Sequence, residues 1–568
     1  MGVRVQLLRE VIHRCREVLD DLEGWPYRDA SRMRLRPRAR SRSRPAAAPE
    51  TGPGGQGEKW KAQPETITGR LAADLRAMEG HLGGSDDIVF REMRIGSGLR
   101  HQAALIYTDG LADKTMVQEH LMRSIMLELR MTDPNCRLHP AQAFGVIRDA
   151  ALTMAEIRET RQVEELVVAV LSGETVFLLD GYAGGLILST RGWPKRSLEE
   201  PATEAVIRGS REGFIETLRS NTALVRRRIR DPHLKVRTLK VGRRTKTDVA
   251  VLYIDGVVNP RLVEEVHRRL KDIDIDGILE SGYIEQLVEE NPMSPFPTMI
   301  VTERPDEVAA GLLEGRVSIL VDNTPFALIV PGTFDSFFKS GEDHYERWII
   351  SSSIRLVRFV GSLIAILLPS LYVAVTSFHP GLLSSKLALT VAASREGVPF
   401  PAVVEATIME LTFELFREAG IRLPGALGQT IGIVGGIVIG QVAVSAGIAS
   451  QTMMLILAFT AISSFALPSF NVAVGFRLLR FPLMFSAAVF GLYGLVMAAL
   501  AILVHLATLR SFGTWYLAPY AGYRVEDFKD TLIRAPLRSF VTRPSFVKPS
   551  DRRRLGGDRS GGEGERKA

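Results

Sequence analysis

From Arg355 to Leu509 apolar residues dominate in runs that approach or exceed the roughly 20 needed to cross a hydrocarbon core of about 30 Å, whereas the chain before Arg355 alternates short apolar stretches with charged and turn-forming ones. The first run, Arg355 to Phe378, contains Pro369 as a kink position and follows Arg347, Arg355 and Arg358, whose charge marks that end as cytoplasmic. Next, LLSSKLALTVAASREGVPFP is too short to cross. AVVEATIMELTFELFREAGIRLP then sets Glu405, Glu410, Glu414, Arg417 and Glu418 on an otherwise apolar helix. Ionisable groups at membrane depth must pair, face a cavity or sit at the interface. This segment is therefore an interfacial helix or a polar surface lining a vestibule or contacting a neighbour.

QTIGIVGGIVIGQVAVSAGIAS, from Gln429, is built from small and β-branched residues, and Gly432, Gly435, Gly436 and Gly440 permit close helix approach. Such a segment suits packing, and it also suits a narrow pore surrounded by copies of itself. In the pore reading Gln441 faces the axis, with Ser445 and Ser450 along it and Val442 or Val444 as a dewetting constriction. After a tight turn at Ser450-Gln451, MMLILAFTAISSFALPSFNVAV returns with Pro468 inside it, and GFRLLRF separates it from a last span over Phe481 to Leu509. The pattern predicts four full spans plus one re-entrant or interfacial segment, a bundle of about four to five helices. Four spans leave both termini cytoplasmic but put Arg477 and Arg480 outside, against the usual charge bias.

The polar half repeats itself. LIYTDGLADKTMVQEHLMRSI from Leu105 and VLYIDGVVNPRLVEEVHRRLK from Val251 each read as a strand, an Asp-Gly turn and an amphipathic helix. LSGETVFLLDGYAGGLIL from Leu171 and LEGRVSILVDNTPFALIV from Leu313 each read as two β-segments joined at Asp180-Gly181 or Asp322-Asn323. The fold class is α+β with a membrane part: two similar α/β subdomains before a helical bundle. The divisions are an extension over 1–85, with a short amphipathic helix and an Arg/Pro/Ser-rich disordered stretch, a first subdomain over 86–191, a charged connector over 192–233, a second subdomain over 234–345, a transmembrane domain over 346–510 and a basic tail over 511–568.

Composition narrows the chemistry. Net charge is +7 and comes largely from arginine clusters at the two ends, which read as solvated tails rather than a nucleic-acid arm. Two cysteines, Cys15 and Cys136, have no metal-ligand spacing, so neither a disulfide framework nor a zinc site is implied. The N-terminus lacks the uninterrupted apolar segment and cleavage site of a secretory signal. Asp before Gly is what a tight turn demands, and no phosphate-loop, dinucleotide, metalloprotease or nucleophile-elbow pattern occurs. The expectation is a non-enzyme without metal or cofactor. In the connector, Arg196, Glu200, Glu204, Arg208, Arg211, Glu212 and Glu216 are placed to build an interface, with Glu200, Glu204, Arg208 and Arg211 as its candidate residues. Arg226, Arg227 and Arg228 are candidates to face phosphates or anionic lipid.

From DDIVFREMRI to SFGTWYLAPY the sequence resembles the GerA family, the A subunits of bacterial spore germinant receptors and the related stage V sporulation protein AF. The runs that carry the likeness include YTDGL, EEPATEAVIRGSREGFIETLRSNTALVRRRI, VGRRTKTDVAVLYIDG, IDIDGILESGYIEQL, SPFPTMIVTERPDEVAAGLLEGRVSILVD, TPFALIVPGTFDSFF, LPSLYVAV, GVPFP and REAGIRLPGALGQTIGIVGGIVIGQVAVSAGIAS. The arginine-rich extension before about Asp86 departs from the common pattern. The resemblance implies a protein of the spore inner membrane with its large N-terminal domain on the cytoplasmic side. It implies partnership with a transporter-like B subunit and a lipoprotein C subunit, and oligomerisation into a gated channel that releases cations at germination. Its alternatives are a non-conducting scaffold that docks the nutrient-sensing subunit, and a secondary transporter.

Overall fold

The structure is a computed structural model that describes residues 65–96, 99–126, 139–148, 156–192, 201, 204, 206–422, 440–521 and 525–555. The first subdomain runs α1 (Leu71–Leu82), β1 (Ile88–Ile95), β2 (His101–Thr108), a π-helical α2 (Met116–Met122), α3 (Pro140–Val146), β3 (Ile157–Thr160), α4 (Val163–Leu171), β4 (Thr175–Leu179) and β5 (Gly185–Leu188). The second runs α5 (Leu218–Arg228), β6 (Leu234–Val241), β7 (Thr247–Ile254), α6 (Pro260–Lys271), α7 (Ser281–Val288), β8 (Ile300–Thr302), α8 (Pro305–Glu314), β9 (Val317–Val321) and β10 (Ala327–Val330). Each forms an antiparallel five-stranded sheet, in the orders β1-β2-β4-β5-β3 and β6-β7-β9-β10-β8, so one topology occurs twice.

Both faces of each sheet are covered. On β2, Ala104 and Ile106 pack with α1 and α4, while Ala103 and Leu105 pack with Leu121 and Phe144. On β7, Ala250 and Leu252 pack with α5 and α8, and Val249 and Val251 with α6 and α7. Two-sided burial makes these strands continuous apolar runs rather than alternating ones. The turn residues behave as their chemistry requires: Gly110, Gly181, Gly256 and Asn323 all take positive φ. Asp180 Oδ1 accepts the first backbone N–H of α1 at 3.0 Å, and Asp322 Oδ1 accepts that of α5 at 3.0 Å. These aspartates start the helix that opens each subdomain.

That equivalence moves two expected boundaries. The folded region reaches back before Asp86, because Leu71, Leu75, Met78 and Leu82 of α1 are buried in the first core. The connector over 192–233 contains α5, which belongs to the second core. Arg226 is fully buried and Arg227 and Arg228 pair with Glu212, so they do not form an anion-binding face.

The helical part consists of α9 (Trp348–Phe378), α10 (Ser385–Arg395), α11 (Ala402–Arg422), α12 (Gly440–Ser445), α13 (Gln451–Ser464) and α14 (Phe470–Thr508). Among the described residues two helices, α9 and α14, are long and apolar enough to cross a membrane, and the four full spans expected are not confirmed among them. At 14 residues α13 is too short, α11 carries the acidic residues, and most of the Gln429 segment lies outside the described residues. The expected break at GFRLLRF is absent, and α14 runs through it.

The interruption falls instead at Gly491, with φ 63° and ψ −143°. There Ser486 Oγ donates to Gly494 O at 2.8 Å, a contact that a straight helix cannot make across eight residues. The two ends of α14 also meet one loop: Ser294 Oγ lies 2.9 Å from His505 Nε2, and a Cβ on Gly475 would come within 2.5 Å of Pro295 O. So α14 is a helical hairpin with arms 470–490 and 492–508, folded back beside Phe378 and His379 at the end of α9.

After a short hairpin of β11 (Arg510–Ser511) and β12 (Thr514–Trp515), residues 525–555 do not trail away as a solvated tail. Ser550 N donates to Val257 O at 2.9 Å and Arg543 Nε to Leu313 O at 2.8 Å, which straps this segment across the second subdomain.

Candidate functional site

Charged groups in the helical part collect in two places: among the apolar helices, and where α9 leaves the second subdomain. In the first, Glu405 and Glu410 of α11 are fully buried. Glu405 Oε1 accepts from Ser450 N at 2.7 Å and Ser450 Oγ at 2.6 Å, holding the N-terminus of α13, and its Oε2 lies 3.4 Å from Arg395 Nε. Glu410 pairs with Arg480 of α14, which also donates to Ala365 O of α9 at 2.9 Å. Glu414 pairs with Arg417 at 3.2 Å and lies 3.8 Å from Arg477. All three acids lie beside arginines of the same chain, two of which are Arg477 and Arg480. These arginines are partners of α11 rather than residues of an exposed loop. Spacing on α11 alone shows Glu410, Glu414 and Arg417 as one face (i, i+4, i+7), but nothing in it points to Arg480.

The second cluster was not signalled by any pattern. Arg355 of α9, fully buried, donates to Asp343 Oδ2 at 2.9 Å, Asp530 Oδ1 at 2.8 Å and Thr531 O at 2.8 Å. Arg358 adds two bonds to Asp343 at 2.8 and 2.9 Å, and Lys339 bridges Asp335 at 2.6 Å and Asp530 at 3.4 Å. Burial alone would raise the Asp530 carboxyl, but Lys339, Arg355 and His344 overcome it and hold the group well below the usual carboxylate range. Burial also lowers His344, against the attraction of Asp530. The cluster joins the turn at Gly341–His344, the start of α9 and the C-terminal strap.

Of the connector candidates, Glu204 is bonded inside the chain through its side chain and Arg208 through its backbone N–H. Glu204 Oε2 accepts from Thr302 Oγ1 at 2.7 Å and from Glu303 N at 3.1 Å, and Arg208 N donates to Glu342 Oε1 at 3.2 Å. Burial raises the Glu204 carboxyl, and that of nearby Glu307, above the usual range. Arg208 and Arg211 are exposed side chains, and Glu200 lies outside the described residues. Of the pore candidates, Gln441, Val442 and Ser445 are exposed on α12 and Val444 is partly exposed, while Ala443 turns into the core. Ser445 Oγ donates to Gln441 O at 2.8 Å. The structure brings these four together on one short helix.

A duplicated two-sheet domain fused through a buried charge cluster to apolar helices defines the class of protein. The profile of the Bacillus/Clostridium GerA spore germination protein family matches residues 76–546, and the chain belongs to that family. It is 41% identical over 485 residues to spore germination protein GerLA of Bacillus cereus, covering 85% of this chain and 97% of that one. It is 42% identical over 482 residues to the uncharacterized membrane protein YfkQ of Bacillus subtilis strain 168, covering 85% and 92%. Among solved structures, the N-terminal domain of the A subunit of the Bacillus megaterium spore germinant receptor GerK3 is 37% identical, with a TM-score of 0.39, over 48% of this chain and 99% of that one.

Proposed function

We propose that this spore germination protein is the A subunit of a germinant receptor, and that copies of it surround a gated cation pore in the spore inner membrane. Its two subdomains lie on the cytoplasmic side, and it works with a transporter-like B subunit and a lipoprotein C subunit. One observation carries the reading: α12 presents Gln441, Val442 and Ser445 away from the packed helices while Ala443 faces inward. A polar and valine edge left uncovered in one chain becomes a lined axis when copies close around it. The Arg355 cluster then supplies the link by which a change in the second subdomain reaches the first membrane helix.

Conductance of the purified full chain in planar bilayers, alone and with its sensing partner, tests the proposal. Discrete openings are expected, altered by Gln441→Leu and abolished or made constitutive by Val442→Glu, with assembly unchanged in both. Silence with assembly verified sinks the pore and leaves the scaffold.

A further inference from the structure

Helix α7 and the loop after it present apolar side chains that the described residues leave partly or wholly uncovered. Tyr283 is 40% exposed, Leu287 48% and Met293 95%. Tyr283 and Leu287 stand four residues apart, on one face of the helix, and Ile284 and Val288 on the adjoining face are buried in the second core. An exposed apolar stripe beside a buried face has to be explained by what it meets.

The residues after Met293 fix where this edge sits. Ser294 and Pro295 touch His505 and Gly475, and Phe296 lies between the arms, its ring centroid 6.1 Å from those of Phe476 and His505. Gly475 is sixteen positions from the hairpin tip at Gly491. That is about 24 Å of helix at 1.5 Å per residue, less than the hydrocarbon thickness of about 30 Å. A hairpin whose tip reaches the far boundary therefore brings residues 293–296 down to the near boundary.

The same level carries the marks of a bilayer interface. Beyond α14 the Arg510 guanidinium stacks 4.0 Å over Trp515, the aromatic and basic pairing found where helices leave the hydrocarbon. The C-terminal end of α7 belongs to this level too: Gly513 N donates to Glu290 Oε1 at 3.3 Å, and Arg269, which donates to Val288 O at 2.9 Å, lies over the Phe512 ring at 4.3 Å. Of the acids beside Leu287, Glu290 pairs with Arg269 at 2.7 Å and Glu289 accepts from Thr298 Oγ1 at 3.0 Å, while Asp272 and Asp274 are exposed and pair with Arg268 at 3.0 Å and Arg243 at 3.3 Å, charges that the headgroup layer accommodates.

We propose that the edge formed by Tyr283, Leu287 and Met293 is seated in the headgroup and upper acyl region of the same bilayer that α9 and α14 cross. The second subdomain thus rests on lipid as well as on the helices. The inference rests on the membrane reading above and adds a lipid-contact site to it. An amphipathic surface at this depth binds through its buried apolar area and its interfacial tyrosine.

The test uses the full chain with Cys15 and Cys136 replaced by serine and one nitroxide label at Met293→Cys. The protein is reconstituted in nanodiscs of phosphatidylcholine and phosphatidylglycerol. Collision of the label with oxygen, which partitions into lipid, is compared with collision with a water-soluble nickel chelate. Val496→Cys on α14 serves as the lipid control and Glu92→Cys on β1 of the first subdomain as the aqueous control, both positions being exposed. The expected result is an oxygen-to-nickel ratio at 293 several-fold above that at 92 and approaching that at 496, with a label at Leu287→Cys following 293. A ratio at 293 equal to that at 92, with 496 in lipid, overturns the proposal. Protection of 293 from both reagents also overturns it, in favour of a protein partner. An aqueous ratio at 496 overturns the membrane reading itself.

Discussion

Arg226 closes a two-pronged ion pair on Asp87: its Nε donates to Oδ2 at 2.6 Å and its Nη2 to Oδ1 at 2.9 Å, with Ser85 Oγ and Leu234 O taking further bonds. One residue ends α5 in the second subdomain and the other precedes β1 in the first, so the two copies of the fold are fastened by a buried charge pair. Geometry of this quality offsets desolvation, but removing one partner strands the other. Arg226→Met should destabilise the soluble half by about 3–5 kcal/mol, read as a lower unfolding midpoint, whereas Arg226→Met with Asp87→Leu should recover most of the loss. A double variant no more stable than the single one would assign the effect to packing.

Glu410 and Arg480 invite the same comparison among the apolar helices. Glu410→Gln or Arg480→Met alone leaves an unpaired buried charge and should lower the thermal midpoint and the yield of assembled protein. The double variant should regain most of both, because neutral side chains of similar volume fill the site without a charge. Equal loss in all three would show that α11 and α14 are held by other contacts.

Glu285 on α7 gives a pH dependence. Burial raises its carboxyl from 4.5 to about 7, reinforced by Glu289 and Glu280. A folded-state value above the unfolded one means that the folded form holds its proton longer. Stability from this group is therefore complete below about pH 4.5 and falls as pH rises through 7. With allowance for its partial exposure the change is about 1–2 kcal/mol. Glu285→Gln should flatten the stability profile between these pH values and raise stability above pH 7; an unchanged slope would exclude Glu285 as its source.

Gly491 occupies φ/ψ space open in practice only to glycine, and a Cβ there would lie 2.7 Å from His379 Cε1 and 3.0 Å from Phe378 Cβ. Gly491→Ala should lower the stability of the detergent-solubilised protein by about 1–3 kcal/mol. Gly420→Ala, on α11 with nothing near the added carbon, should be neutral or slightly stabilising. Similar midpoints for the two would mean that the hairpin tip tolerates a side chain.

The repeated strands are legible in sequence because two-sided burial leaves uninterrupted apolar runs and because each run ends in an Asp-Gly or Asp-Asn turn. The opening helices are not. One lies inside the extension expected over 1–85 and the other inside a charge-rich connector, and their kinship appears only through Asp180 and Asp322, which cap them from about 100 residues away. In the helical part, Gly491 sits in an apolar run where glycine usually signals close packing. The arginines of GFRLLRF look like a loop because their carboxylate partners are some 60 to 70 residues earlier. Sequence spacing reports neighbours along a helix; long-range charge pairing leaves no period to read.

The strap that returns over the second subdomain changes the mechanics of the whole chain. Asp343 grips the entering helix through Arg355 and Arg358, while Asp530, beyond the last helix, grips Arg355 from the other side, and Ser550 is bonded to the Val257–Val258 loop. The helices are thus a span fixed at both abutments to one rigid block. A displacement of that block cannot pull on a single end; it must twist or shear the span between two anchored points, so the load reaches α9 and α14 together.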